Sequence, residues 1–140
     1  MYFAGVSTLT LSLTAKKIPY KIYLCDTPAK GEAVIKCPAI THLWIFAHGL
    51  RHGIDFGGNL LYYCEVENYP RRDFIGQYHC NNGGGRALTY YNPPKGCDIT
   101  DCERNNSGIE KDVETQLELL GIEPIRFNFK IFFEYLISRH

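Results

Sequence analysis

The chain has 140 residues, enough for one domain with a single hydrophobic core that needs no metal or disulfide to hold it. Fifteen Lys and Arg balance fifteen Asp and Glu, so there is no basic surplus to meet a phosphate backbone or an anionic membrane, and nucleic acid is not indicated as a partner. No apolar run approaches the roughly 18 residues of a membrane-spanning helix, so no membrane partner is expected and the cytoplasm is the expected location.

From Met1 to Thr14 there is no basic stretch, and Leu alternates with Ser and Thr instead of forming a solid apolar run, so a secretory signal is not expected. Without one, Cys25, Cys37, Cys64, Cys80, Cys97 and Cys102 read as reduced thiols. The first three sit among apolar or aromatic neighbours, which predicts buried, inert packing.

In chain order, Thr8 to Thr14 has a period of two and predicts a half-buried strand with Leu9, Leu11 and Leu13 on one side, a helix being the alternative. Tyr20 to Cys25 reads as a second strand, ended by Asp26-Thr-Pro28. Residues 29 to 39 leave room for little more than a helical turn or a short strand. His42 to Ala47 is a compact apolar run leading into His48-Gly49, the pattern of a fully covered central strand entering a functional loop. Gly53, Gly57 and Gly58 make the next stretch turn-rich, and Asn59 to Val66 is a strand or the start of a short helix.

Asp73 to His79 is a short strand that delivers Cys80 to a glycine-rich turn, and Tyr90 to Asn106 carries the Pro, Gly and Asn punctuation of a long loop. Ser107-Gly-Ile-Glu110 fits a capping box ahead of a helix with Val113, Leu117 and Leu120 on one face and Gly121 at its stop. Ile125, Phe127 and Phe129 alternate as a last strand, and Phe132 to Ile137 suits a C-terminal helix. The whole predicts one α/β domain over residues 1–140, with a central, mostly parallel sheet. The aromatic stretch from Phe127 to Tyr135 serves a core or a homo-oligomer interface equally well.

The chemistry concentrates in two places. A thiol is a useful nucleophile only as thiolate, and a neighbouring imidazole both lowers its pKa and later protonates the leaving group. Two adjacent strands ending at the same carboxyl edge, one in His48 and the other in Cys80, would bring the pair together. Gly49 has no side chain to keep a substrate carbonyl from a backbone amide. His52 and Asp55, in the turn after His48, are near enough in sequence to orient it. On a regular strand His79 and Cys80 point to opposite sides, so only one of them faces the site.

The run from Trp44 to Gly49 (Trp-Ile-Phe-Ala-His-Gly) and that from Phe74 to Cys80 (Phe-Ile-Gly-Gln-Tyr-His-Cys) resemble the caspase-like cysteine peptidase fold, the group that includes separases and gingipain-type enzymes. The resemblance covers about residues 42 to 86. It implies a three-layer α/β domain, Cys80 as nucleophile, His48 as general base and acid, the Gly49 amide as oxyanion donor and Asn81 beside the nucleophile. It further implies a cysteine hydrolase, a peptidase or acyl-transfer enzyme, acting on a peptide or small-molecule substrate without a cofactor. The family usually has a small residue before its cysteine, where this chain has His79, and a longer separation than the 32 residues between His48 and Cys80.

Two other readings stay open beside it. Asn81, Gly83 and Gly84 with Arg86 could line up amides and a guanidinium as an anion or nucleotide nest, making the chain a non-catalytic binding or regulatory module; the segment matches neither common glycine-rich nucleotide motif. Cys97 and Cys102 leave a zinc site with His79 and Cys80, a loop disulfide or two free thiols as alternatives, and no metal is the expectation.

Overall fold

The computed structural model describes residues 3–79, 88–93, 95 and 109–125. They belong to two compact units, one drawn from residues 1–21 and 108–140 and the other from residues 22–107.

In the first unit, helix α1 (Phe3–Ala15) packs on helix α4 (Ile109–Leu119). The strand expected over Thr8 to Thr14 is therefore a helix. Its hydroxyls satisfy themselves along the helix axis: Ser12 Oγ donates to the Thr8 carbonyl at 2.6 Å, Thr14 Oγ1 to Thr10 at 2.7 Å and Thr10 Oγ1 to Val6 at 3.0 Å. Leu9 and Leu13, which fit an alternating strand, also stand four apart and share one helix face. They are buried, as are Val113 and Leu117 of α4 at the same spacing. Ser12 Oγ also accepts the Ile125 amide at 2.7 Å, so the hydroxyl that could have weakened the helix anchors a second segment.

Both helices end in the same way. Ile122 N donates to Leu117 O at 2.9 Å and Gly121 N to Glu118 O at 2.9 Å, the Schellman pattern, with Gly121 at φ 74°. This is the stop expected at Gly121. At the end of α1, Ile18 N donates to Leu13 O and Lys17 N to Thr14 O, both at 3.0 Å, but the left-handed position is held by Lys17 at φ 58°. A side chain there carries a backbone cost that glycine does not. Lys17→Gly is therefore expected to raise stability by about 0.5–1 kcal/mol, read as a higher urea midpoint at unchanged slope; an unchanged or lower midpoint would show that the lysine side chain more than offsets its backbone.

Tyr20 to Cys25, the stretch at which the second unit begins, has no regular secondary structure, and Ile22 and Leu24 are exposed. The strand expected there does not form, because β propensity acts through a paired neighbour and none of the described strands lies alongside. Helix α2 (Pro28–Lys36) is longer than the single turn expected. Pro28 opens a helix here instead of merely closing the previous segment: Thr27 caps it, its side chain accepting from Lys30 N at 3.3 Å, and proline fits the first helical turn, where its missing donor costs nothing.

At the other end of α2, the buried Arg72 guanidinium donates through Nη2 to the Ile35 carbonyl, meeting the negative end of the helix. Burial lowers the pKa of this guanidinium. Tyr69 fixes the helix flank by donating to Glu32 at 2.6 Å, and Lys36 pairs with the same carboxylate at 2.9 Å. These two partners, Tyr69 first, hold the Glu32 pKa below the usual carboxylate value.

Two sheets follow. Strands β1 (His42–Phe46) and β5 (Phe74–Tyr78) pair in parallel, with His42 opposite Phe74 and Phe46 opposite Tyr78. Between them the chain makes an antiparallel sheet of β2 (His48–Gly49), β3 (Gly53–Asp55) and β4 (Leu60–Tyr62), then a 3₁₀ turn over Tyr63–Val66. The fold is thus α/β, but the described strands are not mostly parallel: one pairing is parallel and two are antiparallel. The reason lies in the glycine-punctuated stretch after His48, which closes two tight turns and folds back on itself. The segment from Asn59 to Val66 is both things expected of it, a strand and then a short helical turn.

The core of this unit gathers Ile35, Leu43, Ile54, Leu61, Tyr63, Val66 and Ile75. On the other face of the parallel pair, Phe46 stacks on Tyr78 with centroids 4.6 Å apart and Trp44 tilts against Phe74 at 4.9 Å. All five residues of β5 are buried, whereas β1 has only Leu43 buried and an exposed His42. The fully covered strand is thus β5, not the one ending in His48. The loop expected from Tyr90 begins instead in a short helix, α3 (Leu88–Tyr91). Ile125, the expected start of the last strand, has no regular secondary structure; the rest of that strand, the C-terminal helix and Ser107 of the capping box lie outside the described residues.

Candidate functional site

His48 and Gly49 occupy β2, directly after the carboxyl end of β1. The Ala47 amide donates to the Tyr78 carbonyl at 3.3 Å, so β1 is still held to β5 one residue before His48. Each β1 residue faces the β5 residue 32 positions later, and His48 precedes Cys80 by the same 32 positions. Cys80, Asn81, Gly83, Gly84 and Arg86 lie outside the described residues, as do Cys97 and Cys102.

The hairpin after His48 sets the direction of its backbone groups. Leu50 N donates to Gly53 O at 2.8 Å, and the register places Gly49 opposite Ile54 and His48 opposite Asp55. Hydrogen-bonded and non-bonded pairs alternate along an antiparallel ladder. With Leu50 and Gly53 bonded, Gly49 and Ile54 form a non-bonded pair, and the Gly49 N–H points away from β3. Gly49 is buried and His48 exposed, as the two faces of a strand require.

Of the two residues expected to orient His48, Asp55 lies directly across the ladder, but its Oδ1 accepts the Gly58 amide at 2.8 Å and closes the β3–β4 turn. His52 sits exposed in the β2–β3 turn, and its carbonyl accepts the Tyr63 amide at 3.0 Å. Both are therefore tied to turn structure. Gly53 allows β3 and β4 to approach so closely that a Cβ built on it would stand 2.5 Å from the Leu61 carbonyl oxygen.

His79 is completely buried and faces inward, as the alternation along β5 predicts. Its ring stacks on that of Tyr63 at 5.6 Å, and its Nδ1 lies 3.1 Å from the Tyr63 hydroxyl. That hydroxyl also donates to the Leu50 carbonyl at 3.2 Å. A hydroxyl has one proton, so while it is directed at Leu50 the Tyr63 oxygen can only accept from His79 Nδ1–H. Gln77, on the same inward face, is also buried.

Sequence reasoning did not find Tyr63. It sits in a run of similar residues, Leu-Leu-Tyr-Tyr-Cys, with no local signal that separates it from the exposed Tyr62 beside it. The thiols also differ from expectation: Cys64 is exposed on the 3₁₀ turn, and Cys25 and Cys37 are half-buried rather than packed away. All three are free. Burial, the largest influence on it, pushes the Cys25 thiol pKa up. Among the described residues no group of three His, Cys, Asp or Glu side chains could hold a metal ion, and no helix is long and apolar enough to cross a membrane.

No protein-family model, curated protein or solved structure matches the chain.

Proposed function

We propose that this protein is a caspase-like cysteine hydrolase that transfers acyl groups through a thioester on Cys80. One observation carries the reading: β1 and β5 are parallel neighbours whose register offset equals the separation of His48 and Cys80. The separation that is short for the family therefore equals the register offset of this strand pair. The Gly49 N–H, turned away from β3 by the ladder, is not committed to that strand, which an oxyanion donor requires.

The chemistry runs in two halves. His48 takes the Cys80 proton, and the thiolate adds to the substrate carbonyl carbon, placing negative charge on its oxygen, which the Gly49 amide meets. Collapse expels the leaving amine or alkoxide, which takes the proton from His48, and leaves the thioester. Water then attacks that thioester with His48 again as base, releasing the acid and restoring the thiol. Asn81 stands next to the nucleophile in sequence, and Gly83, Gly84 and Arg86 follow as the segment that would hold a peptide or small-molecule substrate. The proposed frame is a three-layer α/β domain, working as a thiol enzyme in the reducing cytoplasm.

The test is brief alkylation of the native chain with iodoacetamide, followed by peptide mapping of all six cysteines. Cys80 should be modified first. Equal modification of the six, or none at Cys80, would remove the dyad and leave a non-catalytic module that uses the glycine-rich segment to bind an anion.

A further inference from the structure

Tyr63 is joined to the candidate site at three points. Its amide donates to the His52 carbonyl at 3.0 Å and its hydroxyl to the Leu50 carbonyl at 3.2 Å, so it holds both ends of the Leu50–His52 turn. The same hydroxyl lies 3.1 Å from Nδ1 of His79. Leu50 directly follows Gly49, and His79 directly precedes Cys80. One buried oxygen therefore bridges the residue after the candidate oxyanion donor and the residue before the candidate nucleophile. Both rings are essentially inaccessible, Tyr63 at 1% exposure and His79 at 0%, so neither can turn away without opening the core.

We infer that Tyr63 is a positioning residue, whose hydroxyl ties Leu50, the residue after Gly49, to the carboxyl end of β5 through His79. The inference rests on the reading of His48 and Cys80 as a dyad. The residue that departs most from the caspase-like pattern then has a purpose: where a small residue would leave the two strand ends joined only by sheet bonds, His79 supplies a donor to Tyr63. A buried hydroxyl with a donor on one side and a carbonyl on the other has little rotational freedom. Leu50 is pinned at its amide by Gly53 and at its carbonyl by Tyr63, so Gly49 leads directly into a residue held at both its backbone groups.

The two halves of the site respond differently to the loss of this bridge. Alkylation by iodoacetamide displaces iodide at a saturated carbon and develops no oxyanion. Acylation by p-nitrophenyl acetate passes through a tetrahedral oxyanion and releases p-nitrophenolate, so it depends on where the Gly49 amide points. Tyr63→Phe keeps the ring and removes only the hydroxyl.

Measured at a temperature where circular dichroism shows the variant folded, and with the Cys80→Ala background subtracted, acylation by p-nitrophenyl acetate should fall about tenfold. Alkylation of Cys80 should stay within about twofold, since it needs only the thiolate. His79→Asn, whose amide can still donate to the Tyr63 oxygen, should retain the acylation that His79→Leu loses. If both reactions fall together, or neither falls, Tyr63 is merely structural and the inference is overturned. Wild-type Cys80 no more reactive than the other thiols toward iodoacetamide would instead bring down the dyad itself, and the positioning role with it.

Discussion

His48→Ala should slow acyl transfer at Cys80 by about two to four orders of magnitude, while leaving the fold intact. The histidine is exposed, so its truncation removes no core packing and is expected to change stability by less than about 0.5 kcal/mol. The chemical loss has two parts. Without an imidazole partner a cysteine of ordinary pKa is only a few per cent thiolate at neutral pH, which accounts for roughly a tenfold drop in any reaction that needs the thiolate. The rest arises because no group is left to protonate the departing amine or to activate water on the thioester.

Alkylation by iodoacetamide and hydrolysis of a peptide or ester should therefore separate: about tenfold lost in the first and far more in the second. The alkylation rate of wild-type Cys80 should also level off at a pH well below that of the variant. A hydrogen-bonded structural histidine predicts neither effect, so rates that match wild type in both reactions would end its assignment as base.

The local signals in the chain were strong where they depended on neighbours in sequence and weak where they depended on a partner. The apolar run into His48-Gly49 and the short run into Cys80 are the two strands that pair, and the glycine stop at Gly121 is a Schellman end. Each is set by residues within a turn or two of the feature. The period of two in Thr8–Thr14 was misleading because leucines two apart include a pair four apart, and hydroxyls that look strand-like bond backward along a helix. Only the stripe on α4 decides between the two.

The same limit governs the segment from Tyr20 to Cys25, whose β-branched and aromatic residues have no described strand beside them. Within the candidate site, the residues of the histidine–glycine motif could be read off, because their types are chemically distinctive. Tyr63 could not, since its bond to His79 joins positions 16 apart in sequence through a contact that only the fold creates. For Asp55, nearness to His48 is legible in the sequence, but the bond from the Gly58 amide to its Oδ1 is not.

Gly53→Ala should be the costliest small change in the hairpin. The added methyl would stand 2.5 Å from the Leu61 carbonyl oxygen, 3.1 Å from the Leu61 carbonyl carbon and 3.3 Å from the Tyr62 Cα. All three are backbone atoms of β4, so no side chain can rotate aside, and β3 and β4 must separate by several tenths of an ångström. Overpacking of this kind costs about 1–3 kcal/mol, which a urea titration reads as a lower midpoint at unchanged slope.

The strain also reaches the site. Gly53 accepts the Leu50 amide, and Leu61 on the opposing strand leads within two residues to Tyr63, so the separating strands pull Leu50 and its Tyr63 partner in different directions. Acyl transfer by the folded variant should accordingly fall by more than the loss of folded protein explains, while alkylation of Cys80 tracks the folded fraction. A variant as stable as wild type would mean that β4 yields freely at Leu61, and then the close approach at Gly53 could not be what holds the hairpin against Tyr63.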